Sequence, residues 1–471
     1  MTATRPAVPG SRLAARAPRH RAAWLLTAGM IAFAVTIGVY IGFIVTHPAD
    51  RWMIPVDLNV YREGGLVVRH LTPLFRPHRL APLYEWPGRQ LKFTYPPFAA
   101  MAFTILTLAP FAVLTKISVG VNIAALAATI WITLGGLGQR RGFARLGATL
   151  LLAAALFWTE PVQRTLFLGQ IELLLMLLII WDQCQPDSRW WKGAGIGIAA
   201  GIKLVPLIFI PYLLLTRRFR QAAVASGVFA ATVLAGFAVL PGDSTKWWLD
   251  GLFVQGSRTG FVGWEGNQSL FGLITRLVGS MADAQPIWLL AAAVTVAAGL
   301  ACAALLDRAG HRLPGLLTCA LTGLLVSPIS WDHHWVWVVP GVVAIAAYAA
   351  RARSAARWAL AGLAVAVAAV FGAWPVTLWG APVDMGAFGE GLIWAPPNTS
   401  PGTYFKYGDR PWYIEYRWHG FELIVGNLYV LTGMALFVLL LVCAIRASRA
   451  SARQVKPVRG ISPASAASAH R

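Results

Sequence analysis

Long apolar stretches recur along the chain from Trp24 to Ile445, separated by short polar breaks. A helix needs roughly 20 apolar residues to cross the hydrocarbon core of a bilayer. Stretches near that length predict membrane-crossing helices at 23–46, 117–137, 146–159, 166–181, 193–204, 205–216, 221–240, 286–306, 313–328, 333–350, 356–379 and 421–445. The prediction is an all-α polytopic membrane protein with about 12 transmembrane helices. The spans between 146 and 216 are short, as helices are when tilted, broken or sheltered around a cavity. Residues 97–114 are apolar enough to cross as well, but a crossing there would turn the Arg140–Arg145 loop outward. A re-entrant or surface-lying helix at 97–114 removes that conflict.

With that choice every Arg-rich break falls on the side of the basic N-terminus: Arg140–Arg145, Arg189–Lys192, Arg217–Arg220, Arg308–Arg312, Arg351–Arg357 and the tail from Arg446. On this topology 24 of the 40 Lys and Arg are cytoplasmic, joined by only Asp182, Asp187 and Asp307 of the 19 acids. Excess Lys and Arg mark the cytoplasmic side. The expected layout is a basic cytoplasmic leader (1–22), a transmembrane domain (23–445) and a basic disordered tail (446–471). Its outer segments are 47–116, 241–285 and 380–420. The expected place is the cell membrane, with both termini cytoplasmic.

Composition agrees: 57% of the 471 residues are hydrophobic and 13% charged, against about 25% charged in soluble domains. The net charge of +21 is topological, so no nucleic-acid partner is expected. Four cysteines show no metal or redox spacing. There is no Walker loop, dinucleotide fingerprint or nucleophile elbow, which argues against a nucleotide-driven pump.

Candidate chemistry gathers near the outer face. Asp57, in Val56-Asp57-Leu58-Asn59-Val60-Tyr61-Arg62, is either a helix cap or a general base at the membrane surface. Thr94-Tyr95-Pro96-Pro97 suits the start of a re-entrant helix. Glu160, Gln163, Arg164, Gln170 and Glu172 cluster at membrane depth, where charges face a cavity or a partner. Lys203 is a lone cation in an apolar stretch beside Pro206, placed to meet a lipid phosphate or to snorkel. Gly263-Trp264-Glu265-Gly266-Asn267-Gln268-Ser269 offers donors and acceptors for hydroxyl-rich ligands, or caps the next helix. The most specific cluster is Ser330-Trp331-Asp332-His333-His334-Trp335. Adjacent helix positions diverge by about 100°, so one metal ion shared by His333 and His334 is disfavoured. One imidazole bonding a phosphate or hydroxyl between tryptophan walls fits better.

These motifs, with Leu168-Gly169-Gln170, Ile202-Lys203-Leu204-Val205-Pro206 and Ser327-Pro328-Ile329, occur in an order over 25–445 that resembles one family. The chain is similar to polyprenyl-phosphate-mannose-dependent mannosyltransferases of glycosyltransferase family eighty-seven, in the GT-C superfamily. The similarity is greatest to members that extend phosphatidylinositol mannosides and lipomannan. The resemblance implies a GT-C-type bundle with outer juxtamembrane helices in the first loop. It also implies a monomer among membrane lipids, with a polyprenyl-phosphate-mannose donor and a glycolipid acceptor such as a phosphatidylinositol mannoside. No cofactor or metal is expected. Asp57 matches the family's base, and transfer would invert to an α-mannoside, with an α-1,2 linkage the expectation. Lys203, with Arg62 and Arg164, would hold the donor phosphate, and His333 or His334 would assist at the reacting centre. Tyr61, Gln170, Trp264, Asn267, Gln268, Trp331 and Asp332 would hold sugars. The alternatives are a flippase for lipid-linked sugars, or an enzyme using another polyprenyl-phosphate sugar such as arabinofuranose. The basic leader lies outside the resemblance.

Overall fold

The computed structural model describes residues 10–46, 53–70, 83–84, 91–255, 258, 260–374, 389–396 and 414–454. The first part of the expected leader, parts of all three expected outer segments, and the tail beyond 454 lie outside these residues. Among the described residues the chain is helical, with isolated bridges and no strand.

The helices in order are α1 (Gly10–Thr46), α2 (Val56–His70), α3 (Pro97–Ala102), α4 (Phe111–Gly136), α5 (Phe143–Leu156) and α6 (Glu160–Leu168). Then come α7 (Glu172–Gln183), α8 (Ala194–Ile202), α9 (Phe209–Leu215), α10 (Phe219–Val239) and α11 (Leu270–Val278). The last are α12 (Met281–Arg308), α13 (Arg312–Val326), α14 (Val338–Arg351), α15 (Ser354–Val370) and α16 (Leu428–Gln454). Short 3₁₀ turns extend α3 to Leu108, lead into α9 from Val205 and lead into α14 from Asp332.

Six of the described helices are long and apolar enough to cross a membrane: His20–Thr46, Phe111–Gly136, Phe219–Val239, Met281–Arg308, Asp332–Arg351 and Leu428–Arg449. The bent pair α6 and α7 would make a seventh, and five further apolar helices are only 10–17 residues long. Among the described residues, length and composition thus single out six or seven of the expected dozen spans, with shorter apolar helices packed among them. Hydropathy windows register apolar length but not interruptions. The expected span 166–181 breaks at Gly169, whose φ of 71° caps α6 in the left-handed region. The chain then turns through 118° into α7. The apolar run across 193–216 breaks at Lys203, which is extended, before Pro206 opens the next turn.

The 97–114 segment is helical in two six-residue pieces ending at Leu108, before Pro110 starts α4. Its length of about 20 Å falls short of the roughly 30 Å core. Two boundaries differ from expectation. The helix of the first span already runs from Gly10 through the leader, and α16 continues to Gln454 rather than ending at 445. Ala, Arg and Leu are strong helix formers, so a change in polarity there is not a change in conformation.

Close packing and ion pairs position the bundle. Gly29 of α1 and Gly147 of α5 face each other's helix so tightly that a Cβ on either would strike backbone. Each of the three acids expected on the cytoplasmic side is tied down. Asp182 accepts the Gly193 N–H at 3.0 Å on both oxygens. Asp187 meets Lys192 at 2.9 Å and Arg312 at 2.8 Å. Asp307 joins Arg218 and the Tyr212 hydroxyl, both at 2.8 Å, linking α9, α10 and α12. Asp307→Asn should lower stability by on the order of 2 kcal/mol, because a largely buried guanidinium loses its counter-charge. Thermal unfolding in detergent measures this, and transfer by the folded fraction should be unaffected.

Candidate active site

The first two turns of α2 face a cavity of about 330 Å³, within the usual range for small-molecule sites. Asp57 is the second residue of α2 and lines the cavity. Its carboxylate is bonded by the side chain of Gln170. The Gln170 Oε1 accepts from the Tyr61 hydroxyl at 2.6 Å, which leaves its amide N–H groups to donate to Asp57. Tyr61 in turn lies 3.1 Å from the Tyr95 hydroxyl. Asp57 is thus held by a side chain from the α6–α7 break, and the capping alternative gives way to a fixed, cavity-facing carboxylate. Burial raises the Asp57 carboxyl above its ordinary value; His333, the Gln170 bond, Lys203 and Arg164 pull it back.

The break itself is shaped by Gly169. Besides its positive φ, a Cβ there would lie 2.6 Å from the Cβ of Leu58. A glycine is what lets α2 sit against the break and bring Asp57 to Gln170.

One side of the cavity is closed by charge. The Lys203 ammonium bonds Glu172, the first residue of α7, and lies 2.8 Å from His334 Nε2. The backbone N–H of Trp331 donates to His334 Nδ1 at 3.2 Å. His334 is thus flanked by two donors, the Trp331 N–H at Nδ1 and the Lys203 ammonium at Nε2, and Glu172 Oε1 lies 3.7 Å from Nε2. The ammonium carries three N–H donors, which also suits an anionic oxygen.

Beside them, Asp332 pairs with Arg164 Nε at 3.1 Å and with His333 Nδ1 at 2.9 Å. His333 Nε2 is buried, its residue lines the cavity wall, and it has no hydrogen-bond partner among the described residues. Trp264 and Trp331 form an edge-to-face pair at 5.3 Å on the same wall. Lys92, Trp247 and Arg258 line it as well.

The arrangement unites one enclosed carboxylate, a cation group and an aromatic wall, which suits transfer of a glycosyl group from a phosphate leaving group. The sequence model of glycosyltransferase family 87 matches residues 93–328. The chain belongs to this family. It is 34% identical over 414 residues, 87% of each chain, to a polyprenol-phosphate-mannose-dependent alpha-(1-2)-phosphatidylinositol pentamannoside mannosyltransferase of Mycobacterium tuberculosis. A Mycolicibacterium smegmatis protein of the same name is 34% identical over 81% of this chain and 85% of its own. A Mycobacterium tuberculosis polyprenol-phosphate-mannose-dependent alpha-(1-2)-phosphatidylinositol mannoside mannosyltransferase is 31% identical over 68% of this chain and 76% of its own. No solved structure gives a significant match.

In this family 87 glycosyltransferase the structure sorts the expected residues. Asp57, Arg164, Gln170, Lys203, Trp264, Trp331, Asp332, His333 and His334 all line one cavity. Tyr61 stands behind it, fully buried. Arg62 is half-buried and outside the lining. Asn267 and Gln268 are fully buried and also outside it. Asn267 bonds the carbonyls of Val262 and Pro328 and the N–H of Ser330. Gln268 bonds the carbonyls of Glu265 and Gly426. Both tie loops together rather than facing the cavity, since their polar atoms are already matched. Arg276 has the same role: it bonds the Trp264 and Asn267 carbonyls and Asn427. Burial pulls its guanidinium down to about 10, with Glu415 and Glu265 opposing.

Sequence reasoning assigned no role to Glu172 as the partner of Lys203. The signal was present, because a lone cation at membrane depth calls for a nearby acid. Gly169→Ala should strain the break and push α2 from Gln170, with a stability loss of about 1–2 kcal/mol. Transfer per folded molecule should fall at least about tenfold, since misplaced catalytic groups lose rate steeply. A radiolabelled-sugar assay normalised to folded protein checks it.

Proposed function

We propose that this enzyme moves mannose from polyprenyl-phosphate-mannose to a mannoside on a phosphatidylinositol-based glycolipid, at the outer face of the cell membrane. The observation that carries the reading is a single cavity lined by Asp57, the Lys203–His334 pair and the Trp264–Trp331 wall. The relatives' names supply the sugar, the donor class and the α-1,2 linkage.

Asp57 takes the proton of the acceptor hydroxyl. Its raised proton affinity and its fixed Gln170 bond suit a general base. The hydroxyl oxygen attacks the anomeric carbon, the bond from that carbon to the phosphate oxygen breaks, and a β-linked donor gives an α-mannoside. Negative charge grows on the leaving polyprenyl phosphate. Lys203 Nζ, with His334 beside it, is the cation placed to receive it. Arg164 is already balanced by Asp332, so it contributes field rather than a direct bond. The tryptophans offer flat apolar faces to sugar rings. No cofactor is needed, because a glycosyl phosphodiester is already activated. The basic loops argue for an outward-facing site, and the apolar grooves between helices suit the prenyl tail.

Membranes carrying the protein, supplied with labelled polyprenyl-phosphate-mannose and a phosphatidylinositol mannoside, test the reading. Asp57→Asn and Asp57→Ala should each reduce transfer about 10²–10⁴-fold. Transfer at the wild-type rate by both would remove the base assignment. The acid limb of kcat/KM should lie above the ordinary aspartate value of 3.8, since burial raises this group and only its ionised form accepts a proton. Lys203→Met should weaken turnover and donor use about 10²-fold while leaving the acceptor KM near wild type. An effect confined to the acceptor would place the phosphate elsewhere.

A further inference from the structure

Glu172, Leu175, Met176 and Ile179 recur at three- and four-residue spacing along α7. One face of that helix therefore carries an acid in its first turn and hydrocarbon below it, over a length of about 10 Å. This face lines a second, smaller cavity of about 40 Å³. Val205, from the turn leading into α9, and Ala320 and Leu324 of α13 form apolar walls across from it. Lys203 and His334 line both this slot and the larger cavity that Asp57 faces. The two spaces therefore meet at the ammonium.

Their chemistry differs. The larger space offers Asp57, Gln170, Gln255 and the Trp264–Trp331 pair. In the slot the polar groups are matched to one another or to backbone. Lys203 bonds Glu172, and the Ser330 hydroxyl donates to the Leu324 carbonyl at 2.7 Å. The rest of its wall is aliphatic and aromatic. Glu172 lines the slot and not the larger cavity, so an anion pushed past Lys203 would meet a carboxylate. A neutral hydrocarbon meets no such penalty. A sugar linked through phosphate to a prenyl chain has the matching order of parts: polar ring, anion, hydrocarbon.

We propose that the slot is a prenyl subsite, which takes the first isoprene unit of the donor while the phosphate stays at Lys203 and the sugar lies in the larger cavity. The proposal rests on the reading of Lys203 as the phosphate-facing cation. At rest the slot has room for only part of an isoprene unit. Met176 is buried in its wall, unbranched and flexible, and is the side chain that yields. The exit lies at Val205, which is exposed. Gly323 of α13 stands opposite, and a Cβ there would lie 3.5 Å from Val205 Cγ1, so bare backbone borders the exit on that side. Glu172 keeps the phosphate from following the chain inward, which sets how deep the donor sits.

Two measurements test this. Geranyl phosphate, which has a phosphate and a short prenyl chain but no sugar, is titrated against the purified protein in detergent, with methyl phosphate as the tail-less control. Ala320→Phe fills the slot from α13. It should weaken geranyl phosphate about tenfold or more, because several buried methylene contacts are lost, and leave methyl phosphate unchanged. Equal binding of geranyl phosphate by the wild type and folded Ala320→Phe overturns the proposal. The second measurement uses the wild type alone and stands even if Ala320→Phe does not fold. A prenyl phosphate with a photoreactive diazirine on its first isoprene unit should label peptides that hold Met176, Val205 or Ala320. Labelling confined to α2 or to residues 247–253 of the larger cavity overturns the proposal. So does equal labelling of the slot by a diazirine-bearing phospholipid, which would make it a general acyl site. Both measurements are made without sugar. Failure of the wild type to use polyprenyl-phosphate-mannose would therefore count against the proposed function and leave the slot standing.

Discussion

Lys203, Glu172 and His334 come from three separate stretches of chain, and their contact closes one side of the cavity. An ammonium at this depth without a counter-charge would be driven to the interface or deprotonated. The fold supplies the counter-charge by interrupting two apolar runs. The break at Gly169–Ile171 starts α7 with Glu172, and the break at Lys203 frees its side chain from the helix. The same first break carries Gln170, which holds Asp57. One pair of interruptions therefore places both Asp57 and Lys203, the proposed base and the proposed phosphate-facing cation.

Acid residues divide into two kinds by surroundings. Asp182, Asp187 and Asp307 are tied into backbone or basic partners and act as staples between helices. Glu160, Glu172 and Asp332 sit around the cavity, each with a partner that sets its charge or its direction. Asp57 alone is bonded by neutral Gln170 and left facing open space, at a cost in desolvation. A carboxylate kept in that condition is held for chemistry rather than for stability.

Much of the site was legible because charged and aromatic residues are rare in an apolar chain and each one needs a reason. Asp57, Gln170, Lys203, Trp264, Trp331 and the two histidines stood out for that reason and share one cavity. Asn267 and Gln268 stood out as well but are structural. A run of polar side chains announces hydrogen bonding without saying whether ligand or backbone is the partner. The role of Glu172 depends on a contact across 31 positions of sequence. Helix interruptions were hidden for a related reason: hydropathy records how apolar a stretch is, while a single glycine in the left-handed region divides it.

The most direct test is a structure with a non-transferable phosphonate analogue of polyprenyl-phosphate-mannose bound. The phosphonate oxygens should lie within hydrogen-bond distance of Lys203 Nζ, with the anomeric carbon in the cavity that Asp57 faces. A phosphonate bound away from Lys203, or a sugar outside that cavity, would contradict the account.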